Sequence, residues 1–321
     1  MKALCFDKFG GPDVLYYGDI PEPSIQDNEI LLETKAIGLN FADVYRRKGN
    51  YHLEGKPPYI PGYEGAGVVK AVGASVSGIA VGDRIAFADV PYANAELVAV
   101  PEEKAVPIPE GISFEQAASL MLQGLTAQYL MFDSYKVKAG DIVLVHAAAG
   151  GVGQYLVQIA KSLGATVIGL TSSEEKQAAA SNAGADKVFL YGDHWTEKVL
   201  EFTQQQGVDV VYESVGTTIM DSFEVTRIKG TVVFFGMAAG DPVHIDPRML
   251  MDTSKTLTGG DLWNYLVSKE ERLNRSEALF EMVKKGDIKV NIDSTFKLSE
   301  GNKAHAYLES RKSKGKILLI P

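Results

Sequence analysis

Residues 140–161, GDIVLVHAAAGGVGQYLVQIAK, constrain the chain more than any other stretch. Ile142, Val143, Leu144 and Val145 make a short apolar, mostly β-branched run, the pattern of a parallel strand buried on both faces. Ala147, Ala148, Ala149, Gly150, Gly151 and Gly153 then give a turn of very small side chains. Beyond it Val152, Leu156, Ile159 and Ala160 recur at helical spacing, so the strand passes through the turn straight into a helix. That order suits a dinucleotide: bare backbone lets a pyrophosphate approach, and the first N–H groups and dipole of the helix face it. The first glycine of the usual G-x-G-x-x-G is replaced by Ala148, but a second apolar strand at 166–170 follows Gly164 and completes a βαβ context.

With 321 residues the chain exceeds what one hydrophobic core serves, and two domains are expected. A net charge of −9 argues against a nucleic-acid or anionic-membrane surface. No apolar run approaches membrane-spanning length, and the N-terminus MKALCFDKFG has no secretory apolar core, so a cytoplasmic protein is expected. Cys5 is the single cysteine, which excludes an internal disulfide and a cysteine-rich zinc lobe; it reads as a buried structural thiol.

The first part of the chain reads as β-rich, with strands at 1–6, 29–36, 67–72, 84–87 and 95–100 between Gly, Pro and Asp turns. A helix is expected over 113–131, with Ser113 as N-cap and Gln116 at the capping-box position. Strands at 142–145, 166–170, 187–190, 208–213, 231–235 and 256–259 then alternate with helices at 154–162, 174–182, 195–203 and 219–225. Six alternating strands predict an α/β, doubly wound parallel sheet. Two helices, near 270–284 and 299–310, and a strand at 316–320 close the sequence.

Gly140-Asp141, Leu144, Ala148-Ala149-Gly150-Gly151, Gly153, Gln158 and Lys161 resemble the signature segment of the zeta-crystallin-like quinone oxidoreductases. These are zinc-free members of the medium-chain dehydrogenase/reductase superfamily. The resemblance runs along nearly the whole chain: Gly62-Tyr63-Glu64-Gly65-Ala66-Gly67 is similar to the family's GxExxG run, Gln123 to Ala127 to its domain-crossing helix, and Gly315 to Pro321 to its ending. It implies a Rossmann NADPH-binding domain over 125–260 and a β-rich GroES-like catalytic domain made of 1–124 and 261–321. The cofactor is then expected in a cleft between them.

Cofactor choice is read where the second strand of the sheet ends, in Leu170-Thr171-Ser172-Ser173. An acid there would bind ribose hydroxyls and favour NADH; none is present and Lys176 follows, which favours NADPH, although Glu174 and Glu175 oppose a phosphate. The resemblance places Ser172, Lys176 and Tyr191 around the 2′-phosphate, Gly150, Gly151, Val152 and Gly153 at the pyrophosphate, and Asn40, Thr126, Ser214 and Gly236 toward the nicotinamide. Without a ligand, Lys176 is a solvated helix lysine, with Glu174 and Glu175 suited to a first turn.

The zinc enzymes of the superfamily use a cysteine and a histidine at positions that here hold Asn40 and Tyr63, and none of His52, His146, His194, His244 or His305 falls into a metal-ligand spacing. No metal is expected, and Glu64 reads as a structural acid with a nearby partner. Lacking a Lewis acid, such an enzyme needs an acceptor that is already electrophilic, a quinone or an α,β-unsaturated carbonyl. The resemblance makes Asn40 and Tyr45 the catalytic candidates, with the Tyr45 hydroxyl able to meet a carbonyl oxygen as charge builds on it; the plain readings are a cap of the helix after residue 40 and a half-buried aromatic. Tyr51 and Tyr63 are candidates for a wall that stacks a quinone, or else core. Arg46, Arg47 and Lys48 read as a solvated helix face, with a phosphate contact as the minority reading, and Asp209 as structural. The expected activity is NADPH-dependent quinone reduction by a homodimer. The alternatives are an alkenal or enone reductase and a non-catalytic NADPH-binding or RNA-associated protein, the last disfavoured by the acidic balance.

Overall fold

The computed structural model describes residues 1–192 and 194–321. The chain divides into two compact units, one of Met1–Leu122, Leu266–Lys285 and Lys289–Pro321, the other of Gln123–Tyr265 with Gly286–Ile288.

The first unit begins with β1 (Lys2–Cys5), β2 (Tyr16–Asp19), β3 (Glu29–Leu39), α1 (Phe41–Arg47), β4 (Glu64–Val72), β5 (Arg84–Ala88), β6 (Leu97–Pro101), β7 (Ala105–Pro107) and α2 (Phe114–Leu120). The second contains α3 (Gln123–Tyr129), β8 (Ile142–Val145), α4 (Gly151–Ser162), β9 (Thr166–Thr171), α5 (Glu174–Asn182), β10 (Lys187–Leu190), α6 (Trp195–Phe202), β11 (Val208–Glu213), α7 (Ile219–Val225), β12 (Thr226–Phe234), α8 (Pro247–Thr253) and β13 (Thr256–Gly259). The first unit is completed by α9 (Lys269–Lys285), β14 (Ile292–Lys297), α10 (Gly301–Glu309) and β15 (Lys316–Ile320).

In the first unit the backbone of the sheet is β3. Its burial alternates from Ile30 to Ala36 as a half-exposed antiparallel strand should, then becomes continuous through Ile37, Gly38 and Leu39. The sheet runs β14-β15-β3-β4-β5-β7, with β6 also on β3. Along β3, Glu33 faces Val68 of β4 and Leu97 of β6, whereas the buried end pairs with the C-terminal strand, Leu39 to Ile317 and Gly38 to Leu318. The chain's last strand therefore lies beside the residue that precedes Asn40.

The second unit is a six-stranded sheet in the order β10-β9-β8-β11-β12-β13, parallel throughout. Numbered within the unit this is 3-2-1-4-5-6, the doubly wound Rossmann order, with its switch point between β8 and β11. Leu144, Ile168, Leu170, Val211 and Val232 pack with Trp195 and Val199 of α6 and Ile219 and Phe223 of α7. Val143 and Val145 alternate to the other face and are equally buried, so both faces are covered, as the apolar run of β8 requires. Each such side chain contributes about 1.5–3 kcal/mol by leaving water.

Most elements fall where the pattern puts them, but the helix expected over 113–131 is broken into α2 and α3. Its start is as expected: Gln116 N donates to Ser113 Oγ (3.2 Å) and Ser113 N to Gln116 Oε1 (2.9 Å). It breaks because Leu122 N donates to the buried Glu64 carboxylate (2.6 Å) instead of to the helical ladder. The short strands β2, β7 and β14 carry too little apolar alternation to read. Helix α8 does carry a signal, Asp246 as N-cap with Pro247 at the first position.

Candidate functional site

The turn between β8 and α4 is held from beneath. Ala147 takes a left-handed conformation (φ 47°), Gly150 N donates to Ala147 O (2.8 Å), and Ala148 N donates to Leu170 O of β9 (3.0 Å). Gly153 cannot be larger: a Cβ there would lie 2.3 Å from Ala147 O. Gly150 is the N-cap of α4 in extended conformation, and no side chain among the described residues caps that end. Bare backbone thus fronts a helix N-terminus where a pyrophosphate fits. The carboxamide of Gln123 lies alongside, since a Cβ on Gly151 would come 2.0 Å from it. Thr126, also on α3, is almost wholly buried.

At the end of β9 the polypeptide offers Ser172, exposed, and then Ser173 as N-cap of α5, its hydroxyl accepting from Lys176 N (3.4 Å). Lys176 is half-buried, and Glu174 and Glu175 are exposed in the first turn. Ser214 and Gly236 are neighbours: Ala238 N donates to Ser214 O (3.0 Å), and a Cβ on Gly236 would lie 3.2 Å from the same oxygen.

Tyr191 is placed differently from its sequence neighbours. Its hydroxyl accepts from Ala147 N (2.9 Å) and lies 3.0 Å from His146 Nδ1, turned toward the root of the small-residue turn. His146 Nε2 lies 2.9 Å from Ser222 Oγ, which donates to Glu213 Oε2 (2.6 Å). Glu213 also accepts from Val215 N (2.6 Å), Gly216 N (3.1 Å) and Thr218 Oγ1 (2.8 Å). Burial lowers the His146 pKa against the pull of Glu213, so the imidazole is neutral. Burial pushes Glu213 up, but the hydrogen bonds it accepts from Ser222, Val215 and Thr218 outweigh it and hold the carboxyl ionised. Burial raises the Tyr191 phenol, which stays protonated and able to donate.

In the first unit Asn40 is the N-cap of α1, its N–H donating to Asp43 Oδ2 (2.9 Å). Its Nδ2 donates to Glu64 Oε2 (2.7 Å), and its Oδ1 accepts from Lys316 Nζ (3.0 Å). Lys316 and Glu64 form a fully buried ion pair at 2.5 Å. Glu64 thus has the partner expected of a structural acid, delivered by β15. Gly38 makes room for it, since a Cβ there would sit 2.1 Å from Glu64 Oε2. Tyr45, half-buried on α1, has its ring 6.3 Å from that of Phe41.

The basic run at 46–48 is not a solvated face. Arg46 and Arg47 are 0% exposed. Arg46 lies over the rings of Tyr63 (3.5 Å) and Tyr51 (4.9 Å), taking one face of each candidate stacking wall. Arg47 bonds Glu309 (2.6 Å) and His305 (3.0 Å) of α10, and only Lys48 is exposed. A helix of seven residues packed against α10 has no outward side wide enough for both guanidinium groups. Asp209 is structural as expected, accepting from Ile142 N (2.7 Å) and Arg227 (2.7 Å). Sequence reasoning missed Lys316 and the Glu213, Ser222 and Thr218 cluster. The available signal was position: His146 and Glu213 each stand at the carboxyl end of a strand flanking the switch point.

Residues 26–139 match the family model described as alcohol dehydrogenase GroES-like domain, and 151–272 the one described as zinc-binding dehydrogenase. The chain is 40% identical over 324 residues to a quinone oxidoreductase of Pseudomonas aeruginosa, covering 100% of this chain and 99% of that relative. It is 38% identical over 332 residues to a 2-haloacrylate reductase of a Burkholderia species, again covering 100% and 99%. The crystal structure of Escherichia coli quinone oxidoreductase complexed with NADPH superposes with a TM-score of 0.96 at 37% identity, covering both chains completely. The chain belongs to the quinone oxidoreductase family of the medium-chain dehydrogenase/reductase superfamily.

Proposed function

We propose that the protein is an NADPH-dependent reductase of quinones that works without zinc. The observation that carries this reading is the start of α4, capped by no side chain among the described residues, behind a turn of small residues, with Ser172 and Lys176 rather than an acid at the end of the neighbouring strand. Gly150, Gly151, Val152 and Gly153 hold the pyrophosphate, Ser172 and Lys176 the 2′-phosphate, and Ser214, Gly236 and Thr126 serve the nicotinamide side. Bound there, NADPH supplies a hydride to an electrophilic acceptor, and solvent supplies the proton that completes a hydroquinone. Asn40 helps orient the nicotinamide, and Tyr45 donates to the acceptor oxygen as negative charge develops on it.

The residues at the position of a zinc site do not suit the metal. Asn40 and Tyr63 stand where the zinc enzymes use cysteine and histidine, and the Lys316 ammonium lies between Asn40 and Glu64. Among the described residues no group of three or more His, Cys, Asp or Glu could hold a metal ion. No described helix is long and apolar enough to cross a membrane. A homodimer through the nucleotide-binding units completes the proposal, with β13 as the edge strand of that sheet.

The 2-haloacrylate reductase relative favours a second reading, an α,β-unsaturated carbonyl acceptor. NADPH consumption measured with naphthoquinones, phenanthrenequinone and short enals separates the two. Turnover on quinones that survives exhaustive chelation supports the first reading; turnover on enals alone replaces it with the second, and loss of activity on chelation overturns zinc independence.

A further inference from the structure

We propose that Tyr191, His146, Ser222 and Glu213 form a positioning relay that clamps the small-residue turn to the loop after β11, so that both halves of the nucleotide site are preset before the cofactor arrives. This rests on the NADPH reading above. The chain of donors is complete in one tautomer, with the His146 proton on Nε2. Ala147 N–H donates to the Tyr191 oxygen, Tyr191 O–H to His146 Nδ1, His146 Nε2–H to Ser222 Oγ, and Ser222 O–H to Glu213. Glu213 then takes the N–H groups of Val215 and Gly216, the backbone of the loop itself.

His146 leaves β8 and Glu213 ends β11, the strands either side of the switch point, so the relay straddles the crevice where sheets of this order bind ligands. His146, Glu213 and Ser222 are fully buried and Tyr191 partly so, and Trp195 lies at right angles to the imidazole (5.6 Å, 88°). A buried network of satisfied donors and acceptors holds its ends in one arrangement. The left-handed Ala147, at the root of the turn, is the residue whose N–H the relay captures. Tyr191 is therefore a positioning residue, acting on the turn through the backbone, rather than a ligand of the 2′-phosphate. Glu213 does the same for Val215 and Gly216, which run on from Ser214.

Tyr191→Phe keeps the ring and deletes only the hydroxyl. NADPH and NADH are titrated separately against the wild type and the variant, with Tm and steady-state kinetics taken on the same samples. Both nucleotides are expected to weaken by the same factor, roughly three- to tenfold, the worth of one neutral hydrogen bond. KM should rise for both while kcat at saturation changes little. Ser222→Ala, which cuts the relay at its other end, should reproduce the effect, and the double variant should lose less than the product of the two. Loss confined to NADPH would make Tyr191 a phosphate ligand and overturn the proposal, as would a lowered Tm with unchanged affinities. A wild-type protein that binds neither nucleotide would overturn the NADPH reading beneath it, a result distinct from either.

Discussion

Asn40 shows how much one side chain's setting depends on distant sequence. Its amide is gripped by Glu64 on one side and Lys316 on the other, and that ion pair is buried completely. Removing one member of a buried pair strands the other charge and costs about 3–5 kcal/mol, whereas a solvent-exposed pair such as Lys2–Asp19 contributes little because water and salt screen it. Lys316→Met is accordingly expected to lower the urea midpoint sharply at unchanged m, and Lys2→Met to leave it nearly in place. The small-residue turn, the Ser113 cap and the structural role of Glu64 were legible in the sequence. Lys316 was not: nothing near residue 316 says that a strand 276 positions from Asn40 will present an ammonium to it. The burial of Arg46 and Arg47 was hidden for the same reason, since their partners come from α10 and from residues 51–63.

The elements repeat the lesson. Strands β8, β10, β11 and β13 have the expected bounds, and β8 among them is apolar at every position, as a strand covered on both faces should be. The break between α2 and α3 is invisible in the helical periodicity, being made by a carboxylate from β4. Helix α10 offers a measurable consequence of such packing. Its His305 is wholly buried, and burial, reinforced by Arg47, pushes the imidazole down to about 3 from its ordinary 6.5. Unfolding lets it take up a proton, so its contribution is intact above pH 6.5 and is lost as pH falls from there toward 3. Between pH 7 and pH 5 this amounts to about 2 kcal/mol at the usual 1.36 kcal/mol per unit. Urea unfolding at both pH values should show wild-type stability falling by about that much more than that of His305→Gln; equal falls would contradict a buried neutral imidazole.

At the scale of the whole molecule, the β-rich unit is assembled from both ends of the chain and the parallel sheet from its middle. The six-strand count foreshadowed the parallel sheet, and its strand order is the Rossmann winding. Everything proposed about chemistry depends on the parallel sheet holding NADPH with its 2′-phosphate read at the end of β9. The most direct test is a calorimetric titration of NADPH and NADH into the wild type and Lys176→Ala. NADPH is expected to bind the wild type more tightly than NADH. The variant should lose roughly ten- to a hundredfold for NADPH, the worth of a hydrogen bond to a charged group, and little for NADH. Binding of neither nucleotide, or equal losses for both, would contradict the assignment.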